Sequence, residues 1–122
     1  MDESGFTHLA YYERLVLQIK QQVVTGILQP GDKLPSVRDM AQQVKLNPNT
    51  VAKAYKQLEL DHLVVVRPGR GSFIAEPPTA PSQDQVAAIK QRFDTLTIEA
   101  RIAGIPFSQL QEWLQINYQE KV

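Results

Sequence analysis

Two arginines and a cluster of short polar side chains are spaced for gripping phosphate and reading base edges. They are Arg38, then Asn47, Asn49, Thr50, Lys53 and Lys56, then Arg70 between Gly69 and Gly71. A guanidinium binds a phosphate, or the edge of a guanine, through two parallel hydrogen bonds. Ser36, Asn47, Asn49 and Thr50 crowd two expected helix starts, where free amides and the helix dipole attract an anion. Lys53 follows one turn later, within reach of a guanine edge or the backbone. Arg70, a long cation on a glycine-flanked tip, suits an adjacent minor groove. Together these residues point to double-stranded DNA as the partner.

Each has a plainer reading beside it. Arg38 has Asp39 and Asp61 as possible surface counter-ions. Asn47-Pro48 is fully explained as a helix cap, a role compatible with DNA contact. Lys56 fits a solvated helix face as well as a DNA contact. Any tight turn uses glycine, so the argument rests on order and spacing rather than on one residue. Catalytic chemistry is poorly provided for. His8 and His62 have no carboxylates at metal-ligand spacing, there is no cysteine, and no phosphate-binding loop or nucleophile elbow occurs. No enzyme activity, metal or cofactor is expected.

The elements that must position these side chains are legible from periodicity. A first helix is expected over 11–25, because Tyr12, Leu15, Val16, Ile19 and Val23 recur at three- and four-residue spacing. Gly26 stops it, Pro30-Gly31 turns the chain, and Pro35 keeps Leu34 extended. Ser36 caps a second helix by accepting from the amide three residues on, with Asp39 in the first turn. Val37, Met40 and Ala41 face inward, while Val44 and Leu46 pack the turn. Asn47 and Pro48 open a third helix over 48–61, with Val51, Ala54, Tyr55 and Leu58 as its buried stripe. His62 falls where a left-handed residue is expected.

Two short strands, 63–67 and 72–75, then flank a glycine tip at 68–71. Residues 76–83 hold three prolines and read as a semi-rigid linker. Two helices finish the chain, over 84–103 and 107–119. Their apolar faces carry Val86, Ile89, Phe93 and Leu96 on one, and Phe107, Leu110, Trp113 and Leu114 on the other. Two such helices cannot bury both faces against each other alone, so the preceding domain or a second copy of the chain must cover them. The expected fold is mainly α with a small β-wing: a winged helix-turn-helix over 1–75, the linker, and a helical dimerisation region over 84–122.

Net charge is zero over 122 residues, but its distribution is uneven. Residues 26–75 hold seven Lys/Arg against four acids, a net +3 that the flanks cancel. A local basic patch is what phosphate contact requires. The acidic N-terminus lacks the pattern of a secretory signal, and no apolar run is long enough for a membrane span. A cytoplasmic location without membrane association is therefore expected.

The run GDKLPSVRDMAQQVKLNPNTVAKAYKQLELDHLVVVRPGRGSFIA resembles the winged helix-turn-helix of the GntR family of bacterial transcription regulators. The resemblance covers about 9–75. The NPNTV…AY segment (47–55) and the short two-helix tail are similar to the YtrA-like subfamily. That resemblance implies a small homodimer, often encoded beside ABC-transporter genes. The family's helix-two arginine matches Arg38, and its Gly-basic wing tip matches Gly69-Arg70. Two further arginines of many relatives are replaced here by Pro48 and Ala52, which moves base readout to Asn49, Thr50 and Lys53. His62 stands where a glycine is usual. Larger members append a metabolite-binding domain that a tail of about forty residues cannot hold. No residue identifies a small-molecule effector.

The expectation is thus a homodimeric repressor on a palindromic operator. The competing expectation is a winged-helix protein-interaction module without specific DNA binding. Cations at Arg38, Lys53 and Arg70 favour the first.

Overall fold

The computed structural model describes residues 9–119; His8 lies outside them. The order is α1 (Tyr11–Val24), α2 (Val37–Val44), α3 (Pro48–Leu60), β1 (Val64–Arg67), β2 (Gly71–Ile74), α4 (Gln83–Ile102) and α5 (Phe107–Gln119). Contacts divide the chain into two compact units, with the boundary between Pro77 and Pro78.

The first unit is built around α3. Its stripe Val51, Ala54, Tyr55 and Leu58 is buried against Leu15, Val16 and Ile19 of α1 and Met40 and Ala41 of α2. Leu34, Val64 and Ile74 close the same core from the loop and the wing. The helical members of this core are the apolar positions that three- and four-residue spacing selects. Tyr12, Val23, Val37, Val44 and Leu46 lie at the edge of the core, partly buried.

Local capping sets the helix ends. The Asp39 amide donates to Ser36 Oγ at 3.0 Å, and the Asn49 amide donates to Asn47 Oδ1 at 2.7 Å. Between α2 and α3 the chain turns through Lys45, which takes a left-handed φ of 58°. The Leu46 amide then closes back onto the Ala41 carbonyl at 3.1 Å. Lysine gives no sequence signal for that conformation. His62 does adopt the left-handed φ expected of it, 62°, as the Leu63 amide closes onto the Leu58 carbonyl.

One part-buried hydroxyl ties the helix-turn-helix together. Tyr55 Oη donates to the Pro35 carbonyl at 2.7 Å, joining the middle of α3 to the residue before the α2 cap. Removing it in Tyr55→Phe should cost about 0.5–1.5 kcal/mol, the usual net worth of such a hydrogen bond, read by denaturant unfolding at neutral pH. Burial also pushes the Tyr55 phenol up to about 12 from 10.0. Because the folded state holds the proton more tightly than the unfolded chain, this contribution is complete below about pH 10 and is lost as pH rises towards 12. Tyr55→Phe should lack that component of the alkaline loss.

The wing is an antiparallel pair with Val64 opposite Ile74 and Arg67 opposite Gly71. Gly71 therefore belongs to β2 and not to the tip, and the strands are shifted by one residue at three of their four expected limits. The turn is set by Pro68 and by Gly69 at φ 76°, with the Arg70 amide donating to the Arg67 carbonyl at 2.9 Å. Pro followed by a positive-φ glycine is the type II arrangement, which closes the hairpin one residue sooner.

In the second unit, α4 begins with a reciprocal cap. The Gln85 amide donates to Ser82 Oγ at 3.0 Å, and the Ser82 amide donates to Gln85 Oε1 at 3.1 Å. This Ser-x-x-Gln box at 82–85 starts the helix one residue before the expected 84. Gly104, at φ 84°, ends the segment as expected. Helices α4 and α5 do not pack along one another. Ala100 is the one buried hydrophobic residue of this unit among those described. Val86, Ile89, Phe93 and Leu96 on α4, and Phe107, Trp113 and Leu114 on α5, are all exposed, while Leu110 is partly covered.

Candidate nucleic-acid interface

Arg38 is the second residue of α2, on an exposed position one residue past the helix start. Its possible counter-ion Asp61 is already held by Lys20 Nζ at 2.9 Å and by Gln57 Nε2 at 3.0 Å. No ion pair joins Arg38 to any described residue, Asp39 included. The guanidinium is thus available to an external anion.

The Lys20–Asp61 pair spans 41 residues and links α1 to the end of α3. Burial alone would raise the Asp61 pKa, but hydrogen bonds from Lys20 and Gln57, with the Lys20 charge, outweigh it and hold it below the ordinary value.

At the start of α3, capping occupies part of the polar cluster. Asn47 Oδ1 is committed to the Asn49 amide, and the Asn47 carbonyl accepts from the Thr50 and Val51 amides. Ser36 Oγ is likewise committed as an acceptor from Asp39, leaving its hydroxyl proton free to donate. Asn49 is exposed and Thr50 half-buried, so both remain positioned for contact.

Lys53 is exposed, but its ammonium is not loose. Its Nζ lies 4.2 Å from the centroid of the Tyr12 ring on α1. Such a contact is worth about 0.5–1 kcal/mol at an exposed site and narrows the directions in which the lysine can point. Helical spacing marks Tyr12 as a core residue, and nothing in that spacing signals this second role. Lys56 makes an i,i+3 pair with Glu59 at 3.8 Å, with both side chains well exposed. A pair of that kind holds little energy, and it supports the solvated-face reading of Lys56.

On the wing, Gly69 and Arg70 form the exposed tip and Gly71 the first residue of β2. Arg67 stacks its guanidinium over the Phe73 ring at 5.7 Å, a contact that follows from strand pairing and has no local signal. Ser36, Arg70 and Gly71 are brought together around one hollow of about 630 Å³, together with Lys33. Lys33 belongs to the basic excess of residues 26–75, but no local pattern singles it out, because the register that places it beside the wing depends on the folded sheet. No group of residues suited to a metal ion occurs among the described residues. None of the described helices is long and apolar enough to cross a membrane.

Comparisons with known proteins agree with this geometry. The family model described as "Bacterial regulatory proteins, gntR family" matches residues 11–74. The HTH-type transcriptional repressor YtrA of Bacillus subtilis is 41% identical over 105 residues, covering 85% of this chain and 81% of YtrA. A solved structure described as a transcriptional antiterminator from Listeria monocytogenes superimposes with a TM-score of 0.84 at 32% identity. It covers 89% of this chain and 82% of its own. The AraR DNA-binding domain, solved in complex with operator ORX1, superimposes with a TM-score of 0.53 at 27% identity. That match covers 55% of this chain and 81% of its own. With α1 to β2 in one winged helix-turn-helix and the match spanning that unit, the chain belongs to the GntR family and is a YtrA-like, DNA-binding transcription regulator.

Proposed function

We propose that the protein is a homodimeric repressor that binds a palindromic operator in the cytoplasm. The observation that carries this reading is a division of labour between the two units. The first presents an exposed Arg38 that pairs with no described residue, and a capped, exposed start of α3. The second leaves Val86, Ile89, Phe93 and Leu96 uncovered along α4. In this reading α3 enters the major groove, Arg38 and Arg70 hold the backbone or a base edge, and Asn49, Thr50 and Lys53 read sequence. The helices of two chains cover each other's apolar faces, and the two-fold axis so formed relates two half-sites. Repression is supported by the name of the Bacillus relative. Control of a transporter operon is supported by the YtrA-like resemblance, and the identity of the neighbouring genes tests it.

Fluorescence anisotropy on the DNA upstream of its own gene, against a scrambled duplex at two salt concentrations, tests the core of this reading. Tight, selective and salt-sensitive binding is expected, since neutralised phosphates release counter-ions. Binding to neither duplex at low salt would overturn it in favour of a protein-docking module.

A further inference from the structure

We propose that Lys33 is a second phosphate-binding cation of the wing, forming with Arg70 a two-cation clamp on the DNA backbone. The proposal rests on the DNA-binding reading above. Nothing in the local sequence around Lys33 suggests it, because residues 31–34 look like an ordinary turn between helices.

In the folded chain that turn is part of the sheet. The Gly31 amide donates to the Ile74 carbonyl at 2.8 Å, the Ile74 amide to the Asp32 carbonyl at 2.8 Å, and the Leu34 amide to the Ser72 carbonyl at 2.9 Å. Lys33 bridges Phe73 in antiparallel fashion, so β2 lies between β1 and this segment. The Lys33 backbone is thereby held as firmly as a strand residue, and less freedom is lost when its side chain engages a ligand.

The side chain is held as well. A Cβ placed on Gly71 would stand 2.9 Å from Lys33 Cε and 3.7 Å from Nζ, so the lysine stem runs across the bare face of that glycine. Gly71 also has a φ of 123°, which gives it two reasons to lack a side chain. The stem thus crosses Gly71, the residue after Arg70, and Lys33 and Arg70 both line the hollow between the wing and the start of α2. Asp39 is the one carboxylate lining that hollow. No ion pair joins Lys33 or Arg70 to any described residue, and both side chains are exposed. Two exposed cations on one hollow, neither in an ion pair with a described residue, are both open to an external anion. A phosphodiester lying in that hollow gains two charge-assisted contacts. The contact is to the backbone and carries no sequence information of its own.

The test is anisotropy on the upstream duplex and on a scrambled duplex between about 50 and 200 mM salt, using unaltered protein, Lys33→Met and Lys33→Arg. Loss of one phosphate contact should reduce the salt slope by about 0.9, which over that range makes the unaltered protein lose about 3.5-fold more affinity than Lys33→Met. Affinity of Lys33→Met should fall by the same factor on both duplexes, Lys33→Arg should keep the original slope, and thermal midpoints should coincide. A Lys33→Met slope and affinity equal to the unaltered protein would overturn the clamp while leaving DNA binding intact. A loss confined to the upstream duplex would overturn it too, since that is base reading. Failure of the unaltered protein to bind either duplex would remove the DNA reading and the clamp together.

Discussion

Replacing Arg38 with alanine should weaken binding to the operator by about five- to 150-fold and leave the thermal midpoint unchanged. The two halves of this expectation come from the same fact. Arg38 is exposed, and its possible partner Asp61 is already taken by Lys20 and Gln57, so no ion pair with a described residue is lost with the guanidinium. A bidentate arginine contact is worth about 1–3 kcal/mol in a protein–DNA interface, which corresponds to that range of affinity. The conservative change Arg38→Lys should recover only part of it, because an ammonium keeps the charge but not the planar fork. Anisotropy beside a thermal melt reads both quantities. An Arg38→Ala protein that binds within about twofold of the original would remove this residue from the interface.

The second large effect is expected in the tail. If the protein is the homodimer proposed above, Phe93→Asp should leave it a monomer at micromolar concentration, as read by sedimentation equilibrium. Phe93 lies in the middle of the run Val86, Ile89, Phe93, Leu96, and all four are exposed in the single chain. Burying a phenylalanine contributes about 1.5–3 kcal/mol, and a two-fold axis counts each substitution twice. Before adding the cost of burying a carboxylate, this weakens association by ~10²–10⁴-fold. On the proposed palindromic operator, affinity should then fall by a similar order, because a second half-site would no longer be bound intramolecularly. The first unit has its own core around Leu15, Ile19, Val51 and Leu58, so its unfolding transition should persist. If Phe93→Asp sediments as the unaltered protein does, α4 is not the dimer interface.

Much of this architecture is readable because its determinants act over a few residues. Ser36 caps the third amide ahead of it, Asn47 the second, and Pro48 occupies a first-turn position whose amide proton would have no partner within the helix. The apolar stripe Val51, Ala54, Tyr55 and Leu58 is a matter of helical period. Even the left-handed residue at His62 follows from where α3 must stop. Two features near helix ends differ in how far a sequence could reveal them. The Ser82–Gln85 box is present in the sequence as a signal, whereas Lys45 at φ 58° carries none, because lysine has no preference for that conformation.

The sequence by itself determined the helix-turn-helix, the wing, the two-helix tail and the polar character of the α3 start. Those are set by caps, turns and periodicity within a few residues of each position. Only the tertiary structure decided which cations are free and which are held. It drew Asp61 to Lys20 across 41 residues, while Arg38 pairs with no described residue. It set Lys53 over the Tyr12 ring. It laid Lys33 across Gly71 by pairing residues 31–34 with β2. Such contacts join segments far apart in the chain, and their partners are chosen by how the core packs and how the sheet registers, which no local pattern encodes.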